Sequence, residues 1–224
     1  QHSIKTADID GDGCDEILAG SVAIDNDGRT MWSTGYGHGD RFYLGDIDPD
    51  CPGLEVWYIF EEPHPHNGAS LWDARTGNLI FGVPEANRDN ELGRAIAGDI
   101  DPNYPGMECA GGRHFYTAKG QKIEGSAPPQ DFLIWWDADL LREIYSRGRI
   151  YKWKGDDLSD VPGSVQQIAD VLGDWREEIV VYTGGELRIY STVIPAADRR
   201  ICLMQDTLYR NDVTHRSMGY AHYP

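Results

Sequence analysis

The sequence predicts an all-β protein, a β-propeller made of short antiparallel strands. Three observations predict it. An acidic loop motif recurs four times, and three copies lead into apolar runs that read as strand, Ile17-Leu18, Val56–Tyr58 and Ile179–Tyr182. The 224 residues include 26 Gly and 12 Pro, many beside Asp or Asn, so the backbone turns often. No run of about 18 apolar residues occurs, so nothing reads as a bilayer-spanning helix.

The four copies of the motif begin near residues 7, 45, 98 and 169. Each has a small residue, an Asp, an apolar residue, a polar loop, a Glu and a β-rich run. The leading aspartates are Asp8, Asp46, Asp99 and Asp170, spaced 38, 53 and 71 residues apart. Repeats of about 40 to 50 residues with strands in every unit suggest propeller blades, and uneven spacing points to insertions in loops. Residues 1–224 read as one domain of this kind. Hairpins fill the intervals. Val22–Ile24 and Thr30–Trp32 flank Asp25–Gly28, and Ser70–Trp72 and Leu79–Phe81 flank Asp73–Asn78. Further hairpins turn at Ala118–Gln121 and at Asp137–Asp139. The aromatic residues are expected to pack between blades.

Alternating oxygens line the loops. The first has Asp8, Asp10, Asp12 and Glu16; the second has Asp46, Asp48, Asp50 and Glu55; the third has Asp99, Asp101, Asn103 and Glu108. The fourth is degenerate, with Leu172 at the second Asp position, leaving Asp170, Asp174, Glu177 and Glu178. Carboxylates on a tight loop can converge on one hard cation, and calcium accepts six to eight oxygens. A solvated acidic turn is the plainer alternative. An EF-hand places its Glu at position 12 and opens a helix. Here the Glu stands at position 9 or 10 and a strand follows, as in Ile17-Leu18 and Val56–Tyr58.

Composition narrows the partners. Acids outnumber bases 37 to 20, a formal charge of −17. That argues against nucleic acid and against an anionic membrane surface, because both draw on Lys and Arg. Cys14, Cys51, Cys109 and Cys202 form no C-x-x-C pair, and they allow three disulfide pairings or four free thiols. The chain begins at Gln1, which suggests a mature product or a portion of something longer.

Several stretches resemble the rhamnogalacturonan lyases of polysaccharide lyase family 11. They are Gly35–Arg41, Asp46–Asp50, Pro52–Glu55, Ile134–Asp137, Gly173–Glu178 and Leu187–Thr192, with Leu203-Met204, Asp206, Tyr209-Arg210 and Tyr220 near the end. The similarity runs from residue 1 to residue 224 and covers part of the family's length. The resemblance implies an eight-bladed propeller with bound calcium, of which this chain supplies about four to five blades. The missing blades would come from the rest of the protein or from another chain. It implies β-elimination in the backbone of an acidic polysaccharide, rhamnogalacturonan, and an extracellular or periplasmic location.

The resemblance also assigns residues. Arg94 matches an arginine that meets the substrate carboxylate; a surface ion pair with Asp89 or Glu91 is its plainer role. His2, His38, Asp40 and Glu61 match positions around the family's cleft and its calcium. His38 would be a cation ligand or, left free, a base. Tyr220 matches a tyrosine that stacks on a sugar ring. His64 and His66 have no counterpart and read as an exposed loop. The family carries an Asn-Gly-Thr-Lys stretch touching the sugar; the interval Lys154–Ser164 lacks it. Three readings stay open: a calcium-dependent lyase, a non-catalytic calcium-stabilised propeller for carbohydrate binding or assembly, and a purely structural repeat.

Overall fold

The structure is a computed structural model that describes residues 3–39, 41–60, 67–83, 95–111, 114–129 and 132–216. The described strands form five separate antiparallel meanders in chain order. The first sheet holds β1 (Lys5–Ala7), β2 (Glu16–Leu18), β3 (Val22–Ile24) and β4 (Thr30–Ser33). The second holds β5 (Phe42–Gly45), β6 (Glu55–Ile59), β7 (Ala69–Asp73) and β8 (Leu79–Val83). The third holds β9 (Ile96–Gly98), β10 (Glu108–Gly111) and β11 (His114–Tyr116), extended by a bridge from Tyr116 to Lys122. The fourth holds β12 (Phe132–Ile134), β13 (Glu143–Ser146), β14 (Arg149–Tyr151) and β15 (Asp157–Asp160). The fifth holds β16 (Ser164–Ala169), β17 (Glu178–Thr183) and β18 (Glu186–Tyr190).

The sheets stack side by side through their faces. Leu18 and Ala23 of the first sheet share a core with Phe42, Val56 and Tyr58 of the second. Trp57 and Leu71 pack against Ala97 and Cys109 of the third. Ile96, Ala110 and Phe115 meet Leu133 and Ile144 of the fourth. Ile134, Tyr145 and Ile150 meet Ile168, Ile179 and Val181 of the fifth. Strands this short bury too little alone, so each sheet depends on its neighbours. Aromatic residues fill these seams, as expected. The Trp57 indole N–H crosses from the second sheet to the Ala110 carbonyl at 3.0 Å, and that of Trp32 crosses from the first to Ala74 at 2.8 Å.

Among the described residues one α-helix follows the sheets, α1 (Thr207–His215), with the Asp206 carboxylate accepting from the Tyr209 N–H as its N-cap. It stands between the last sheet and the first. The Gln167 side chain donates to the Val213 carbonyl, while Asn211 donates to the Thr6 carbonyl and to Asp15. Beneath it the Lys5 ammonium pairs with Asp212, and both groups are buried. All four cysteines are free thiols. No helix among the described residues is long and apolar enough to cross a membrane.

Candidate functional site

The first strand of each sheet ends in an acidic loop, and the second strand begins with a buried Glu that reaches back into it. Glu16 Oε2 accepts the Ile9 N–H at 2.9 Å. Glu55 Oε2 accepts from Ile47 and Asp48 at 2.8 and 3.1 Å. Glu108 Oε2 accepts from Ile100 and Asp101 at 3.0 and 2.8 Å. Glu178 Oε2 accepts from Val171 and Leu172, both at 2.9 Å. The same clasp appears in the fourth sheet, where Glu143 Oε2 accepts from Trp136 and Asp137 at 2.8 and 3.2 Å.

That last loop corrects the repeat count. Four copies were expected and five are found. The turn Asp137–Asp139, read from sequence as a plain hairpin tip, is an acidic loop of the same design. Trp135 stands where the other copies carry their leading Asp, which hid the match. The loop expected as the fourth belongs to the fifth sheet.

The clasp matters because a loop of this kind leaves several backbone N–H groups inside the fold without a strand partner. One Glu oxygen takes two of them in most copies. Its other oxygen is then available to the loop interior. Glu16 Oε1, Glu108 Oε1 and Glu178 Oε1 are buried without a hydrogen-bond partner. Burial pushes all these carboxyls above their ordinary range: upward for Glu16, Glu55 and Glu178, to about 7 for Glu108 and to about 8 for Glu143. A buried carboxylate set among other carboxylates, as Glu16 is with Asp8 and Asp10, suits a cation.

The loops differ in what faces that oxygen. Among the described residues two groups bring three carboxylate oxygens within 4.8 Å of one another: Asp8, Asp10 and Glu16, and Asp137, Asp139 and Glu143. The second group already encloses a cation. The Lys152 ammonium lies 2.6 Å from Asp137 Oδ2, 2.5 Å from Asp139 Oδ2 and 4.0 Å from Glu143 Oε1. Partial burial works against its charge, but hydrogen bonds to Asp137 and Asp139 prevail and raise its pKa. The second loop is treated alike. Lys119 Nζ sits 2.6 Å from Asp48 Oδ1 and 2.9 Å from Asp50 Oδ2. Burial alone would push Asp48 up; the Lys119 hydrogen bond and the Asp50 N–H overcome it and hold Asp48 low.

In the first loop the ring of donors comes from the backbone. Asp8 accepts from Gly11 and Gly13, and Asp10 accepts from Asp12, at 2.8 to 3.0 Å. Gly11 and Gly13 have φ of 85° and 93°, the left-handed region in which a side chain is strained. This loop fits a hard divalent cation held by Asp8, Asp10 and Glu16; Asp12, expected as a fourth ligand, stands outside that group and accepts from the Cys14 N–H and the Asn26 side chain, both at 2.8 Å. The third loop has Asp99, Asp101, Asn103 and Glu108, but Asp101 Oδ1 is taken by the Asn103 side chain at 2.6 Å. In the fifth loop Asp170 accepts from the N–H groups of Gly173, Trp175 and Leu203, and Asp174 pairs with Arg176 at 2.7 Å. Those two aspartates brace the backbone. Asp46 is exposed at the start of the second loop.

Of the residues matched to the cleft, His38 alone is described. His2, Asp40, Glu61, Arg94 and Tyr220 lie outside the described residues, as do His64 and His66. His38 is half-buried and lies just before β5. It is near the second acidic loop in sequence but at the other end of the sheet, since β5 runs between them. The segment is held firmly. Ser21 Oγ donates to the Gly37 carbonyl at 2.9 Å, and the Tyr58 hydroxyl donates to the Gly39 carbonyl at 3.0 Å. Gly39 admits no side chain, because a Cβ there would lie 2.0 Å from the Ile59 carbonyl oxygen.

The acidic loops of neighbouring sheets touch. The Met107 N–H donates to the Ile47 carbonyl, Arg142 N–H to Asp99, and Trp135 and Glu177 exchange hydrogen bonds. The second to fifth loops therefore gather on one side of the molecule, and His38 lies at the opposite end of its sheet. A model of the C-terminal domain of rhamnogalacturonan lyase family 11 matches residues 1–224 in full. The chain belongs to this family. It is 43% identical over 240 residues to the rhamnogalacturonan endolyase YesW of Bacillus subtilis (strain 168), and 37% identical over 257 residues to the exolyase YesX of the same organism. All of the chain is covered, but only 38% and 42% of those relatives. The YesW crystal structure superposes with a TM-score of 0.93 at 42% identity, covering the whole chain and 41% of YesW. The Bacillus licheniformis family 11 rhamnogalacturonan lyase superposes equally well, at 41% identity and the same coverage.

Proposed function

We propose that this chain is the C-terminal propeller portion of a secreted, calcium-dependent rhamnogalacturonan lyase acting by β-elimination. The observation that carries the reading is 43% identity to a rhamnogalacturonan endolyase along the entire chain. Five meanders in sequence order, each sharing a core with the next, support a radial arrangement of blades. The remaining blades belong to the rest of the protein or to a second chain, because this one spans about two fifths of its relatives.

Arg94 meets the uronate carboxylate and neutralises it, which acidifies the C5 proton. A base takes that proton. The C5–H electrons form the C4–C5 double bond as the bond from C4 to the glycosidic oxygen breaks, and that oxygen takes a proton from water. A neutral imidazole is suited to the base role, and His38 on its braced glycine turn is held for it. Tyr220 supports the sugar ring. Calcium, when bound, adds positive charge beside an acidic polymer and cross-links carboxylates. His2, Asp40 and Glu61, with His38 as the alternative ligand, would hold it near the cleft; Asp8, Asp10 and Glu16 would hold it in the first loop.

Incubating the polypeptide with rhamnogalacturonan and calcium tests the reading. New ultraviolet absorbance from unsaturated uronate is expected, and Arg94→Ala should abolish it. A folded protein that binds pectin fragments without producing that absorbance would instead be a non-catalytic carbohydrate-binding module. That second reading is favoured by the short Lys154–Ser164 interval.

A further inference from the structure

The fourth sheet carries a groove on the side away from the acidic loops. The β13–β14 turn, the start of β12 and the link from β15 to β16 all lie at that end. Phe132, Tyr145, Arg147, Arg149, Asp160 and Pro162 line a cavity of about 890 Å³ there. A second cavity of about 470 Å³ shares both arginines and adds Ser146 and Tyr151. Both volumes suit a sugar-sized ligand.

Two features point to an anionic occupant. In a chain with a formal charge of −17, two guanidinium groups two residues apart face the same hollow. Arg149 is steadied by Asp157 at 2.9 Å, while Arg147 makes no ion pair with a described carboxylate. The backbone gives the second feature. Arg147 and Gly148 have φ of 52° and 82°, a two-residue turn in which Asn-Gly or Gly-Gly would be less strained. An arginine kept at that position projects charge from the tip of the hairpin at a conformational cost. The link Val161–Gly163 spans the gap to the fifth sheet in three residues and leaves the hollow open.

We infer that Arg147 and Arg149 form a binding subsite for the carboxylate of an acidic oligosaccharide, on the same side of the molecule as His38. The planar guanidinium takes a carboxylate in two parallel hydrogen bonds, and the hydroxyls of Ser146 and Tyr151 suit sugar hydroxyls. The inference rests on the lyase reading for the identity of the sugar but not for the binding itself. The subsite positions substrate; it moves no proton.

Calorimetry with rhamnogalacturonan oligosaccharides, intact and carboxyl-reduced, tests it. Arg147→Asn is the first variant, because Asn favours this turn and folding is preserved; Arg147→Asn with Arg149→Gln is the second. Binding of the intact oligosaccharide should weaken about tenfold in the first, the loss expected of one charge-assisted contact. It should weaken further in the second, with the carboxyl-reduced form bound equally by all three proteins. Unchanged affinity in the double variant, equal loss for the reduced oligosaccharide, or no binding by the parent would overturn the subsite. Unsaturated product with an unaltered KM in both variants would remove the subsite and leave the lyase reading standing. Arginine-dependent binding without product from the parent would do the reverse.

Discussion

Replacing Lys152 by Met isolates what the ammonium does in the fourth acidic loop. The methionine keeps most of the stem's packing and removes the charge. Asp137, whose side chain is 11% exposed, then faces Asp139 and Glu143 without a cation. At an effective dielectric near 20, unit charges about 4 Å apart interact by about 4 kcal/mol, most of it offset by desolvation. Exposed pairs are worth about 0.2–1 kcal/mol and breaking a fully buried one costs about 3–5. Lys152 is 34% exposed, between those limits, so a loss of about 2 kcal/mol is expected. For a chain of this size that lowers the Tm by about 4–8 °C. Urea melts in chelator should show the loss. Added calcium should restore stability in the variant beyond what it adds to the parent, because the vacated oxygens become a cation site. Equal stability in chelator, or no extra rescue by calcium, would refute the view that lysine fills this loop.

Other expectations follow from the same geometry. Glu143 has its pKa raised by burial to about 8, so ionising it opposes folding. Its contribution is whole below the unfolded carboxyl pKa of about 4.5 and is lost as pH rises towards about 8, with a slope of at most about 1.4 kcal/mol per pH unit. Glu143→Gln should flatten that slope in pH-dependent melts. In the first loop, Asp10→Asn keeps an acceptor for the Asp12 N–H but removes charge, and should cancel most of the calcium-induced rise in Tm; for a parent saturated at a hundred times Kd that rise corresponds to about 2.7 kcal/mol. Lys5→Met strands the buried Asp212 carboxylate and should cost about 3–5 kcal/mol, with part recovered in Lys5→Met/Asp212→Leu. Gly39→Ala drives a methyl into the Ile59 carbonyl and should cost about 1–3 kcal/mol in urea melts; on the proposed lyase reading it also lowers formation of unsaturated product by displacing His38.

Much of the architecture could be read from residue order, and the reasons for the gaps are specific. The strands after Glu55 and Glu178 announce themselves as β-branched and aromatic runs; the one after Glu108, Cys109-Ala110-Gly111, is marked only by the motif before it. The fifth acidic loop did not announce itself, because Trp135 replaces its leading Asp and only the clasping Glu143 remains diagnostic. Sequence gives all carboxylates in a loop the same chemistry. The structure divides them: Glu Oε2 satisfies backbone N–H groups, Asp170 braces a turn, and only some oxygens are left for a cation. Lys119 and Lys152 come from turns later in the chain, 71 residues beyond Asp48 and 13 beyond Asp139, so their ammonium groups could not be paired with those loops by inspection. Helix α1 was missed for a related reason. Its buried residues are Tyr209, Asp212 and His215, a polar face at helical spacing rather than an apolar stripe.

On the proposed reading a metal fills the first acidic loop, while Lys152 takes that place in the fourth. Anomalous-scattering maps from crystals of the protein grown with terbium would test this most directly. A peak ligated by Asp8, Asp10 and Glu16, with Lys152 still seated between Asp137 and Asp139, is the expected result. A first loop without a peak, or an ion in the fourth loop with Lys152 turned out to solvent, would contradict it.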